Sequence, residues 1–227
     1  YDWKYRVGTF GVYGSRLGNF VIQHADLVVC LGTRLSQNLT GGVLSTFAPN
    51  ARIVMVDADK GEMDKFDGYG IRIAGRIQCL MGEFLEAAKA VIEQYKAPSI
   101  TPWLATIESW RAQLPDDIPM EPADVAGYVD AHHFMHQLSD VLADDEIVFV
   151  DTGGNLTWTC NNLRVKSGQR VFSAWNFTPM GYAVAAGIGG SAAAPDRSVT
   201  CIIGDGGLQL CLGELATVVR YQIPLKI

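Results

Sequence analysis

Gly204-Asp205-Gly206-Gly207 is the stretch of this sequence best equipped for chemistry. A β-branched apolar run, Val199 to Ile203, precedes it and reads as a buried strand. Leu208, Leu212, Leu215 and Val219 follow at spacings of four, three and four, which predicts a helix ended by Pro224. Strand, glycine turn and helix start together make an anion site. The first helical turn carries N–H groups without intrahelical partners and the positive end of the dipole, and glycines let a phosphate approach the backbone. Asp205 places a carboxylate where negative ligand charge should gather, which makes sense if a hard cation lies between the two. Magnesium takes oxygen ligands, usually one or two carboxylates plus substrate phosphates. Asp205 therefore reads as a metal ligand at a diphosphate site. Gly-Asp-Gly alone is also an ordinary tight turn; the strand before it and the helix after it favour the site.

A second candidate loop, Asp151-Thr152-Gly153-Gly154-Asn155, follows the apolar run Glu146 to Val150. A glycine pair at the C-terminal end of a strand is where parallel α/β sheets place ligands, and it is equally compatible with a simple turn. Asp57 and Asp59, after the run Ala51 to Val56, could hold a ribose hydroxyl or a metal, but acidic strand ends are common and a solvated turn is expected. His132, His133 and His136 share a helix face in part; without a Glu between them or a third ligand they read as a partly solvated helix start.

The elements that must position these residues follow from composition and periodicity. The 227 residues are 48% hydrophobic and 19% charged, suited to one large or two ordinary packed α/β domains. A net charge of −6 and the lack of a Lys/Arg-rich block argue against nucleic acid, and no apolar run approaches a membrane span. The five cysteines form no C-x-x-C pair and sit mostly in apolar runs, which suits reduced thiols in the cytoplasm. Residues 1–95 read as one α/β unit, with strands at His24 to Leu31 and Ala51 to Val56 expected to lie in a sheet covered on both faces, and a helix at Leu80 to Tyr95. Residues 96–127, rich in proline, read as a linker with one short helix at Leu104 to Leu114. Residues 128–227 read as a second domain, opening on a helix at Ala131 to Leu142 whose buried stripe is expected at Phe134, Leu138 and Val141/Leu142. The run AVAAGIGGSAAA is small enough for a helix to pack closely on its neighbours.

The stretch GDGGLQLCLGELATVVRYQIPLKI resembles the cofactor motif of thiamine diphosphate enzymes, in particular the acetolactate synthase-like family. Gly11-Val12-Tyr13-Gly14, Ala25-Asp26-Leu27, Gly32-Thr33-Arg34 and Phe47-Ala48-Pro49-Asn50-Ala51 leading to Asp57-Ala58-Asp59 are similar to that family's middle domain. The resemblance implies two doubly wound parallel-sheet α/β domains, a Rossmann-like middle domain and a thiamine diphosphate-binding domain. It implies that Asp205 binds magnesium and that Gly204, Gly206 and Gly207 complete the diphosphate turn. Gly153, Gly154 and Asn155 fall where the family contacts the terminal phosphate through backbone and a short polar side chain. Met180, in Phe177-Thr178-Pro179-Met180-Gly181-Tyr182, takes the place of the large apolar residue that wedges between the two cofactor rings, and the backbone around Thr178 and Met180 would bond the aminopyrimidine. The family more often has glycine at the position of Thr178. Flavin-containing members bind FAD in the middle domain. Arg34 matches the family's arginine, yet Ser36-Gln37-Asn38 replaces the acidic pair that often follows, which counts against FAD here.

The function implied is thiamine diphosphate- and magnesium-dependent decarboxylation of a 2-oxo acid, with transfer of the acyl carbanion to an acceptor, in a homodimer or homotetramer. No residue of this chain is assigned as a general base. The family's activating glutamate comes from an N-terminal domain, and Glu214 reads as structural. That glutamate and the Asn that closes the metal motif are expected outside Tyr1 to Ile227, in a longer parent, so this chain alone should be inactive. The alternatives are a 2-oxo acid decarboxylase or a pyruvate oxidase-like enzyme and, from another class, a non-catalytic nucleotide-binding or structural subunit. The nucleotide-binding alternative is weakened because no G-x-G-x-x-G follows the first strand.

Overall fold

The computed structural model describes residues 5–114 and 127–227, which divide between two compact units, Val7–Asp116 and one containing Asp117–Ile227. In the first unit, α1 (Arg16–His24) leads to β1 (Leu27–Leu31), α2 (Gln37–Thr40), a 3-10 turn at Leu44–Thr46, β2 (Arg52–Asp57), α3 (Lys60–Asp64), β3 (Ile73–Gln78), α4 (Met81–Ile92) and α5 (Thr101–Gln113). Strands β1, β2 and β3 pair in parallel in that order. Ser15 starts α1 by accepting from Gly18 N at 3.0 Å, and Asp59 starts α3 by accepting from Gly61 N at 2.8 Å. Val28, Cys30, Ile53 and Met55 from the strands pack with Phe47, Met63 and Phe66 to form the core.

Two expectations for this unit need correction. The cover on both sheet faces does not extend to β1 among the described residues: Val28 and Cys30 point into the core, while Leu27, Val29 and Leu31 are exposed. The period of two puts alternate side chains on opposite faces, so apolar type alone did not settle which were covered. Helix α4 likewise buries none of its residues. The helix expected from Leu104 begins earlier, at Thr101, and packs on α1 through Trp110, whose ring lies 5.1 Å from Phe20 and 5.0 Å from His24.

In the second unit, α6 (Ala131–Val141) is followed by β4 (Ile147–Val150), α7 (Gly154–Asn162), β5 (Arg170–Ser173), α8 (Tyr182–Ala193), β6 (Val199–Ile202), α9 (Asp205–Leu210), α10 (Glu214–Arg220) and β7 (Leu225–Lys226). All four strands are parallel in the order β5-β4-β6-β7. The chain runs outward from β4 to β5, crosses back to β6 and continues to β7, so the strand order reverses between β4 and β6. Crevices at such switch points, beyond the carboxyl ends of the strands, are where open α/β sheets bind ligands. Strands β4 and β6 are buried along their whole length. Ile147, Phe149, Val199 and Cys201 pack against Ala183 of α8. Close helix packing depends on the small residues expected there: a Cβ on Gly187 would lie 2.4 Å from Cys201 Sγ, and one on Gly190 2.5 Å from the Phe149 ring. Both units thus have the expected parallel α/β character.

Two helix expectations change here as well. Asp130 caps α6 by accepting from His132 N and His133 N at 2.8 and 3.0 Å, and those hydrogen bonds hold its carboxyl below the usual range. The buried face of α6, however, is Met135, Ser139 and Leu142, not Phe134 and Val141, which are exposed. Ser139 tolerates burial because its hydroxyl donates to Met135 O at 2.7 Å and accepts from Arg164 N at 2.9 Å. The single helix expected after Asp205 is two helices, broken at Cys211-Leu212-Gly213, and Leu212 and Val219 of the apolar series that predicted it are exposed. The break seats Cys211 in the interior, where its Sγ donates to Gly207 O at 3.5 Å.

Candidate functional site

Three loops converge at the switch point. The first, from the end of β4 into α7, holds Asp151 to Asn155. The second, before α8, holds Thr178 to Gly181. The third, from β6 into α9, holds Gly204 to Gly207. A cavity of about 690 Å³ opens between them. Gly153, Gly154, Asn155, Met180, Gly204, Asp205, Gly206 and Gly207 all line it, so the structure brings these sequence-predicted residues together. Thr178 is not among its lining residues; it lies two positions before Met180 on the second loop.

Each loop is shaped by a specific contact. Asn155 fixes the first to the third: its Nδ2 donates to Asp151 O at 2.9 Å and to Ile202 O at 3.2 Å, tying the ends of β4 and β6 together. Both amide protons are thus committed to backbone carbonyls, which leaves Oδ1 and the loop backbone for a ligand. Met180 is half-exposed, and its Cε lies 3.2 Å from where a Cβ on Gly206 would stand, so the glycine makes room for the methionine. Asp205 is exposed at the first position of α9, open to the cavity and among the described residues the only carboxylate that lines it.

Sequence reasoning missed two residues that shape the cavity. Trp158, one turn along α7, packs its ring 3.0 Å from the Cβ position of Gly154 and forms part of the wall. Asp151 is 1% exposed, and its Oδ2 accepts from Gly181 N at 2.7 Å. The available signal was a carboxylate closing an otherwise apolar strand. Phe134, misassigned to the buried stripe, lines the cavity instead.

The remaining candidates are engaged elsewhere. Asp57 Oδ1 accepts from Asp59 N at 2.9 Å, and Asp59 caps α3, the structure of a strand-end turn. His132 is hydrogen-bonded to Asn162 at 2.8 Å. Arg34 pairs with Glu62 at 3.4 Å, and Ser36 stands at the start of α2.

Two family models match. Residues 1–88 fit the thiamine pyrophosphate enzyme central domain, and residues 151–227 fit the thiamine pyrophosphate enzyme C-terminal TPP binding domain. The chain belongs to the thiamine pyrophosphate enzymes. The match to the binding domain begins at Asp151 and takes in all three loops of the cavity. Among curated proteins, the chain is 30% identical over 226 residues to the acetolactate synthase isozyme 2 large subunit of Escherichia coli (strain K12), covering 100% of this chain and 38% of that protein. It is 32% identical over 226 residues to the acetolactate synthase large subunit of Pyropia yezoensis, covering 100% of this chain and 37% of that one. The probable acetolactate synthase large subunit of Methanococcus aeolicus is 27% identical over 97% of this chain and 38% of its own length. The chain therefore spans somewhat over a third of the length of these relatives.

Proposed function

We propose that this chain forms the middle and cofactor-binding parts of a thiamine diphosphate- and magnesium-dependent, acetolactate synthase-like carboligase. Its substrate would be a 2-oxo acid, which it decarboxylates before the acyl fragment passes to an acceptor. The observation that carries the reading is the convergence of the Asp205 turn, the Gly153–Asn155 loop and Met180 on one cavity at the switch point. The likeness to acetolactate synthase large subunits along the whole chain supports the carboligase class over other 2-oxo acid chemistry.

The residues present fit this cofactor. A single exposed carboxylate beside a glycine turn suits magnesium, whose remaining ligands are ordinarily phosphate oxygens and water. Asp205 would hold the metal, Gly204, Gly206 and Gly207 would let the diphosphate lie against the backbone, and Gly153, Gly154 and Asn155 would face the terminal phosphate with their backbone N–H groups. Met180 would support the bend between the rings, with the Thr178 and Met180 backbone oriented towards the aminopyrimidine. When bound, thiamine diphosphate supplies the electron sink that allows carbon dioxide to leave a 2-oxo acid, and the protein contributes binding, orientation and exclusion of water. No general base is assigned within this chain.

The assembly is proposed to be a homodimer or homotetramer. Val129, Phe134 and Met180 line the cavity and are also exposed, and nearby in sequence Phe177 is 88% exposed, which supports cover of the site mouth by a second chain. Five free cysteines support a cytoplasmic setting, and no described helix is long and apolar enough to cross a membrane.

Calorimetry on the full-length protein tests the reading. Thiamine diphosphate should bind only with magnesium, and Asp205→Ala should weaken binding by two orders of magnitude or more, about 3 kcal/mol. Undiminished binding by the variant would sink the proposal. With pyruvate as substrate, acetolactate is the expected product; acetaldehyde or acetate alone would transfer the protein to the decarboxylases or oxidases.

A further inference from the structure

We propose that Asp151 is a positioning residue that sets Met180 relative to the diphosphate turn, and so governs the bend of the cofactor more than its affinity. This rests on the function proposed above.

The geometry makes Asp151 the meeting point of all three loops. Oδ1 accepts from Thr152 N on its own loop at 2.8 Å. Oδ2 accepts at 2.7 Å from the N–H of Gly181, the residue that follows Met180. The same Oδ2 stands 2.7 Å from where a Cβ on Gly207 would be, so only glycine fits there and the third loop rests directly on the carboxylate. Gly181 has φ +91° and its own Cβ position is 3.1 Å from Cys211 Cβ, so the second loop is held between Asp151 on one side and the α9 end on the other.

A carboxylate with 1% exposure and, among the described residues, no cationic partner is a costly choice for a packing role. Asparagine has the same shape but offers one acceptor where this site uses two. With either orientation of its amide, the NH2 group would face the N–H of Thr152 or of Gly181. Both N–H groups are satisfied only by the acid. Two acceptor oxygens are therefore needed to hold the Gly181 N–H beside that of Thr152, and with it the backbone from which Met180 projects over Gly206. The two hydrogen bonds that Asp151 accepts come from Thr152 and Gly181, and neither involves Asp205, the proposed metal ligand.

The experiment uses the full-length protein and two variants, Asp151→Asn and Asp151→Ser. Three quantities are read: the magnesium-dependent affinity for thiamine diphosphate, from quenching of tryptophan fluorescence; the rate of solvent exchange of the bound cofactor's C2 proton, by NMR; and kcat. Asp151→Asn should keep affinity within about threefold of the parent, while exchange and kcat fall together on the order of 10²-fold, as for a misplacement of about an ångström at a reacting group. Exchange within twofold of the parent would overturn the proposal, as would a loss of affinity as large as the loss of exchange. If Asp151→Asn fails to fold, Asp151→Ser should give the same split. If both variants melt more than ~10 °C below the parent, Asp151 is structural and the proposal fails. Absence of magnesium-dependent binding in the unsubstituted protein would instead sink the proposed function itself.

Discussion

The Asn155 side chain reaches across 47 positions of sequence to the carbonyl of Ile202, at 3.2 Å, and so joins the ends of the two strands that flank the switch point. Its second hydrogen bond, to Asp151 O at 2.9 Å, holds its own loop to the end of β4. A ligand between β4 and β6 meets two turns fixed in relation to each other before it arrives.

Asn155→Ala should therefore weaken thiamine diphosphate binding about tenfold, from the loss of two hydrogen bonds of about 1 kcal/mol each offset in part by water. Calorimetric titration at saturating magnesium checks it. A change of less than twofold would show that the loops hold their spacing without the latch.

Thr178 has φ +39°, a left-handed conformation that a β-branched residue adopts only at a cost. Thr178→Gly should raise the stability of the second unit by about 0.5–1 kcal/mol, since relief of strain exceeds the added entropy of the unfolded glycine. Chemical denaturation of parent and variant measures it; a destabilised variant would mean that the threonine side chain holds the loop.

Glu146, wholly buried at the start of β4, accepts from Thr200 Oγ1 at 2.7 Å and pairs through both oxygens with Lys226 at 3.0 and 3.1 Å. Burial pushes its pKa up, but the hydrogen bonds from Thr200, Lys226, Ala143 and Ser198 outweigh burial and hold it below the ordinary value of 4.5. A carboxyl with a lowered folded pKa adds stability that is complete above its unfolded pKa and is lost as pH falls through the folded one. Glu146→Gln should thus cost about 1–3 kcal/mol at pH 7, and the gap between parent and variant should narrow below pH 4.5. Urea midpoints across the pH range read this directly, and a gap independent of pH would refute it.

Burial raises the thiol pKa of Cys30 and Cys160 to about 11 and that of Cys201 to about 12. At pH 8 the Cys201 thiolate is about a thousandfold scarcer than for a thiol with the ordinary value of 9.0. Iodoacetamide should leave these three unmodified in the native protein and label them after unfolding, as mass spectrometry of peptides would show. Rapid native labelling of Cys201 would mean that β6 opens readily.

The fold class and the place of the glycine turn after β6 were legible in the sequence because both are local. Val199 to Ile203 followed by Gly-Asp-Gly-Gly gives a strand, a turn and a helix start whatever surrounds them, and the Glu146 to Val150 run with its glycine pair does the same. Periodicity also marked where helices lie, but not which face meets the core. On α6 the apolar residue Phe134 turns to the cavity, and Ser139 is buried because Met135 O and Arg164 N satisfy its hydroxyl. The second of those partners is 25 residues away, and no local pattern announces it.

By itself the sequence determined what each segment can form, since propensity and hydrophobic spacing act over a few residues. Only the tertiary structure decided which segments meet. Asp151 lies 30 positions from the Gly181 N–H it accepts, and its carboxylate rests against Gly207 further along the chain. Hydrogen bonds and close contacts depend on distance in space, and the order of strands in the sheet, β5-β4-β6-β7, is what brings those three positions to one point.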